Sequence, residues 1–128
     1  MKKLCVLCLF AVAAVLAQPK SADAVPAFKK GFAAKYVTKE TPKEFATAVK
    51  KASCNVCHIK GKKKKVRNQY GLALSKLLKK KDFTSAKVKA DPKGKGKAMN
   101  EAFAKVEKMK NKEGKTYGAL LKAHKLPN

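Results

Sequence analysis

Two cysteines three residues apart, with a histidine directly after the second, constrain this chain more than any other feature: Cys54-Asn55-Val56-Cys57-His58. On a helix, positions three and four apart share a face. Both sulfurs therefore point to one side, and the imidazole of His58 joins them there. The chain around this turn has 128 residues, which allows one small domain with a modest core. A bound group that brings apolar surface to that turn would help such a core.

C-x-x-C-H is the attachment signature of c-type haem. Sulfurs on one side of a turn can add to two vinyl groups on one porphyrin edge, and His58 then reaches the iron as proximal ligand. Three other readings compete. A redox-active dithiol uses C-x-x-C alone, usually beside a β-α-β pattern, and none is visible. A zinc site needs a fourth ligand, commonly from a second Cys pair, and only His124 could serve. A disulfide closing so small a loop contributes little. The haem reading also predicts a chain that folds poorly without its cofactor, because a group bound only by the folded state stabilises that state.

On these five residues the chain resembles the monohaem c-type cytochromes. More loosely, the resemblance includes a helix leading into the motif and a C-terminal helix closing the fold. It implies an all-α, small cytochrome c-like domain around one covalent haem c. Cys54 and Cys57 would form the thioethers, His58 would be the fifth iron ligand, and the iron would cycle between Fe(III) and Fe(II). That describes an electron carrier rather than an enzyme, unless the distal iron position is open.

Two features depart from the family. Small cytochromes c orient the proximal His through a carbonyl of a Pro-containing segment roughly a dozen residues on, a contact that tunes the ligand. Here no Pro occurs between His58 and Pro92. Those proteins also carry the distal Met on a loop before the last helix. Met109 has that place, yet it lies on a stripe that reads as helix.

The candidates for the sixth ligand are Met109, Met99 and His124. A Met on an apolar helical face is also ordinary core, and a His near the end of a basic helix also suits the helix dipole. An open position would admit CO or NO. The alternative function is therefore a haem-based gas-binding protein, or the haem subunit of a larger redox enzyme. A non-haem alternative is a Lys-rich module binding an anionic polymer or a membrane surface.

The N-terminus reads as a leader. Lys2 and Lys3 precede an uncharged apolar run, Leu4 to Leu16, and the small residues Ala22 and Ala24 follow. That is the layout of a secretory signal peptide, residues 1–24, with a cut after Ala24 or, second, after Ala17. The run is shorter than the roughly 20 residues of a stable membrane span, although an uncleaved anchor is the competing reading. Cys5 and Cys8 leave with this segment. The mature domain, residues 25–128, is then exported to the periplasm or another extracytoplasmic space, without stable membrane insertion.

Removing Lys2, Lys3, Lys20 and Asp23 takes the formal charge from +24 to +22. Arg67 is the one arginine beside 31 lysines. Nucleic-acid readers lean on the planar fork of Arg, so this surface argues against nucleic acid. A field of lysines suits steering toward an acidic redox partner. Lys60 to Lys65 reads either as a solvated loop or as a docking rim beside the haem. No acidic residue pairs with a His or Ser in a hydrolase or transferase motif.

Periodicity predicts helices and little or no sheet. Phe28, Phe32 and Tyr36 mark one helix behind Pro26. Thr41-Pro42-Lys43-Glu44 predicts a capping box, with Pro42 first in a helix whose face is Phe45, Val49, Ala52 and Val56 and which runs into Cys54. A third helix is expected over 68–80, with Tyr70, Leu74, Leu77 and Leu78 on one face. Residues 90–96 read as a linker. A fourth helix over 98–110 presents Met99, Ala102, Phe103, Val106 and Met109. The last, over 116–125, presents Tyr117, Leu120, Leu121 and His124.

Overall fold

The computed structural model describes residues 25–128. The leader and its cleavage site lie outside the described residues. Among those residues there are six α-helices, two 3₁₀ turns and no strand, so the domain is all-α as its periodicity predicts. Helix α1 spans Pro26–Tyr36, α2 Lys43–Ala52, α3 Gln69–Leu77, α4 Ser85–Ala90, α5 Pro92–Glu107 and α6 Tyr117–Lys122.

Helix α5 is the hub, against which α1, α3, α4 and α6 all pack. Its buried side is Met99, Ala102, Phe103 and Val106, the i, i+3, i+4, i+7 stripe of an amphipathic helix. Around Phe103 the rings of Phe32 and Tyr36 meet edge to face at 6.1 and 5.9 Å between centroids. Tyr70 joins Phe32 at 6.0 Å and Tyr117 at 5.2 Å. Such tilted pairs each add about 0.5–1.5 kcal/mol beyond area burial. No polar or charged residue is buried among the described residues.

Several expectations are corrected. The capping box does not form. Pro42 is itself the cap residue of α2, and no side chain caps that helix. Thr41 is drawn the other way, accepting from the Thr38 N–H at 2.8 Å and donating to the Tyr36 carbonyl. Helix α2 stops at Ala52, because Ser53 adopts φ 50°, a conformation no helix continues.

The expected linker is instead the first turn of α5. Asp91 caps it by accepting from Gly94 N at 2.9 Å, with Pro92 at the first position, where no N–H is needed. The short helix α4 precedes it, capped by Thr84. Leu77 is exposed, and Leu78 is buried from extended backbone. Met109 is 39 % exposed beyond the end of α5. His124 lies past α6 at φ 54°.

Candidate functional site: a cavity at the Cys54–His58 turn

The motif sits on a 3₁₀ turn, Ser53–Val56, rather than on the end of α2. In a 3₁₀ turn side chains at i and i+3 eclipse, so the tighter turn still places Cys54 and Cys57 on one side. Cys54's carbonyl accepts from both Cys57 N at 3.2 Å and His58 N at 3.1 Å. The whole C-x-x-C-H segment is therefore wound about one backbone acceptor.

All three motif side chains line one apolar cavity of about 430 Å³. Volumes of this order belong to sites that enclose a small organic molecule or cofactor. Helix α1 gives it Phe28 and Phe32, α2 gives Val49, and α3 gives Leu74, with Leu78 next to it. Lys29, Lys50, Lys80 and Arg67 supply its cations. Both thiols are free and half-buried.

Two residues that sequence reasoning passed over hold this turn. Asn68 caps α3 by accepting from Gly71 N at 2.8 Å, while its Nδ2 donates to the Val56 carbonyl at 2.9 Å. Its backbone N–H donates to the Cys57 carbonyl at 3.1 Å. Gly71 is pressed onto that same carbonyl: a Cβ there would stand 2.0 Å from the oxygen. Only glycine permits this approach. Asn immediately before an apolar-periodic run was the available signal for the cap; the close contact leaves no local signal.

His58 is half-buried, and its Nδ1 is buried without a hydrogen-bond partner among the described residues. Burial lowers the ring's pKa below its usual value; the nearby carbonyls of Val66 and Lys64 act the other way, and the charges of Arg67 and Lys64 add to the lowering. The neutral ring that results carries a lone pair. Its carbonyl neighbours arrive because the basic loop folds back. His58 and Arg67 form an isolated antiparallel bridge, and Ile59 N donates to the Val66 carbonyl at 3.3 Å.

Burial pushes the Cys57 thiol up to about 12, reinforced by Cys54 and opposed by Arg67. Such a thiol stays protonated near neutral pH. No group of three or more His, Cys, Asp or Glu stands together to hold a metal among the described residues.

The candidate distal ligands are scattered. Met99 is buried on the α5 side of α1, its sulfur against Gly31. Met109 lies with Gln69 and Tyr117 at a different hollow. The ring of His124 lies tilted against Phe45, with 5.5 Å between centroids. None of the three lines the cavity.

The loop from Lys60 to Val66 is exposed along its length, with Ile59 and Val66 at its two ends presenting apolar surface. No helix among the described residues is long and apolar enough to cross a membrane. Comparison with family models, with curated proteins and with solved structures finds no match.

Proposed function

We propose that this chain is an exported monohaem c-type cytochrome that carries single electrons. One observation carries the reading: the sulfurs and imidazole of Cys54, Cys57 and His58 line a single apolar cavity large enough for a cofactor. The residues suit haem c. Two thiols sharing one face can both bond to a porphyrin edge. The buried Nδ1 of His58 has no hydrogen-bond partner among the described residues, and leaving such an atom unsatisfied costs about 1–3 kcal/mol. Phe28, Phe32, Val49 and Leu74 offer apolar contact to a flat ring, and Arg67 with the neighbouring lysines offers counter-charge to carboxylate substituents. Bound haem would supply the one-electron Fe(III)/Fe(II) couple.

The chain's own residues have defined tasks in this reading. Cys54 and Cys57 tether the group, and His58 ligates it. Asn68 and Gly71 hold the turn. The carbonyls of Val66 and Lys64 stand beside the imidazole, where small cytochromes c use a Pro-containing segment. The basic loop, with Ile59 and Val66 at its base, makes a docking patch for an acidic redox partner, an apolar contact ringed by steering charge.

Expression in a host with working cytochrome maturation machinery tests the proposal. The mature protein is expected to keep a porphyrin mass after denaturation. Replacing both Cys54 and Cys57 by Ala is expected to abolish that covalent mass. A denatured wild-type chain with no added mass would refute the proposal.

A further inference from the structure

We infer that the open hollow between α3 and the 109–117 loop docks an acidic segment of a partner protein, one that carries a protruding apolar side chain. This site is independent of any haem, because it lies on the side of α3 turned away from the motif. Helix α3 gives Gly71, Leu74 and Ser75 to the Cys54–His58 cavity and Leu72, Ala73 and Lys76 to this hollow. A partner seated here leaves the motif's side of the helix clear.

Leu72 and Met109 are two of the five large apolar side chains exposed among the described residues, at 50 % and 39 %. A single exposed leucine needs no explanation. Here both side chains meet in one hollow of about 380 Å³, together with Ala73 and Tyr117. Volumes of this order suit a small ligand or an inserted side chain. The walls are tied together before any partner arrives. Lys112 N donates to Gln69 Oε1 at 3.3 Å, and Tyr117 N donates to the Met109 carbonyl at 3.0 Å. Asn111 Oδ1 accepts from both Glu113 N and Lys115 N at 3.0 Å, which fixes the loop between them. A wall held in this way gives up little conformational freedom on binding.

Charge selects the occupant. Lys76, Lys110 and Lys112 border the hollow, all three exposed. None of them has a carboxylate partner among the described residues, and no described carboxylate lines the hollow. Glu113, next along the loop, is paired with Lys115 at 3.3 Å, and Glu107 is held by Tyr36 and Lys35. Three uncompensated ammonium groups around hydrocarbon fit carboxylates flanking an apolar anchor. An apolar centre with a charged rim is how protein interfaces are built, and the rim charges choose the partner and speed its arrival. Shape separates a protein from a lipid surface. A bilayer is a broad plane that seats a protruding apolar face, whereas a hollow takes a protruding side chain. Lysines without the fork of an arginine argue against nucleic acid.

The test uses the full-length protein as isolated and two labelled synthetic peptides of glutamates, one with a single central Phe and one with Ser in its place. Fluorescence anisotropy is expected to show one saturable site, with the Phe peptide bound about tenfold tighter, as burial of one aromatic side chain allows. Leu72→Ser/Met109→Ser is expected to remove that preference and leave the affinity of the Ser peptide unchanged. Lys76→Gln/Lys110→Gln/Lys112→Gln is expected to weaken both peptides by about tenfold. Lys89→Gln/Lys93→Gln/Lys97→Gln removes the same charge from α4 and the opposite end of α5, beyond the screening length at physiological salt, and should cost less than about twofold. Every substituted position is exposed, so the fold is kept. Equal binding of the two peptides, or an equal loss from the α4–α5 triple variant, would overturn the inference. So would vesicles of pure phosphatidylglycerol whose binding depends as strongly on Leu72 and Met109, because the surface would then be a membrane contact.

Discussion

Replacing Gly71 by Ala adds one methyl group, and the structure says where it must go. The new Cβ would lie 2.0 Å from the Cys57 carbonyl oxygen and 2.8 Å from its carbon. Both are backbone atoms, so no side chain can swing aside. Helix α3 and the motif turn must separate by more than an ångström. Overpacking of this kind costs about 1–3 kcal/mol. The Asn68 N–H bond to the same carbonyl, 3.1 Å long, is strained or lost, at a further cost of about 1 kcal/mol. Ala is the better helix former by up to about 1 kcal/mol, which offsets part of the loss.

The net expectation is a destabilisation of about 2–3 kcal/mol. For a domain of this size that lowers Tm by roughly 10–20 °C. Gly96→Ala is the matched control. It also lies inside a helix, but a Cβ there meets nothing within 4 Å. It should stabilise by about 0.5–1 kcal/mol through propensity alone. Thermal unfolding followed by far-ultraviolet circular dichroism separates the two. If Gly71→Ala melts with the wild type, or if Gly96→Ala loses as much, the close approach of α3 to the motif is wrong.

Asn68→Ala should destabilise by about 1–3 kcal/mol by uncapping α3 and releasing the Val56 carbonyl; Asn68→Asp keeps the cap and should recover part of the loss in urea unfolding, and full recovery would argue against the separate tie to Val56. All three tyrosines have raised pKa values, Tyr36 and Tyr70 chiefly by burial and Tyr117 by burial alone. Folding therefore favours the neutral phenol. Its stabilisation is fully present below the ordinary tyrosine value of about 10 and is lost as pH rises above it. Tyrosinate absorbance should rise later in the folded protein than in urea, and coincident titrations would contradict the burial. Reduction by an anionic small-molecule reductant should outpace that by a cationic one of equal potential, and the ratio should fall toward one as salt screens the surface; a ratio indifferent to salt would remove the steering role of the lysines. Amide exchange should be earliest in α2 and latest in α5, because α2 leans chiefly on the 3₁₀ turn while four helices pack on α5; the reverse order would count against α5 as hub.

Much of this architecture was legible because it rests on periodicity. Phe28, Phe32 and Tyr36 mark α1 within its observed bounds, and Met99, Ala102, Phe103 and Val106 mark the buried side of α5. The failures have local causes. Gly94 and Gly96 carry a linker's composition, yet Asp91 and Pro92 form a helix start that outweighs them. Thr41 had two backbone partners to choose from and took the upstream one. Ser53 enters a left-handed conformation that its residue type does not announce, so α2 ends sooner than its apolar stripe.

The turn at Cys54–His58 was readable, but its cavity was not. Its walls come from α1 and α3, which are distant in sequence, and no spacing rule joins Phe28 to Leu74. For the same reason Met109 and His124 could be placed on helical stripes that stop before reaching them.

The arrangement of helices divides the labour of assembly. Four helices brace one another through α5. The segment bearing the two thiols is joined to it like a door to its frame, along an oily seam rather than by buried charge. Swinging that door would pull on α3, whose Asn68 and Gly71 meet the Val56 and Cys57 carbonyls. In the cytochrome reading proposed above, the bound ring would be the bolt that closes it.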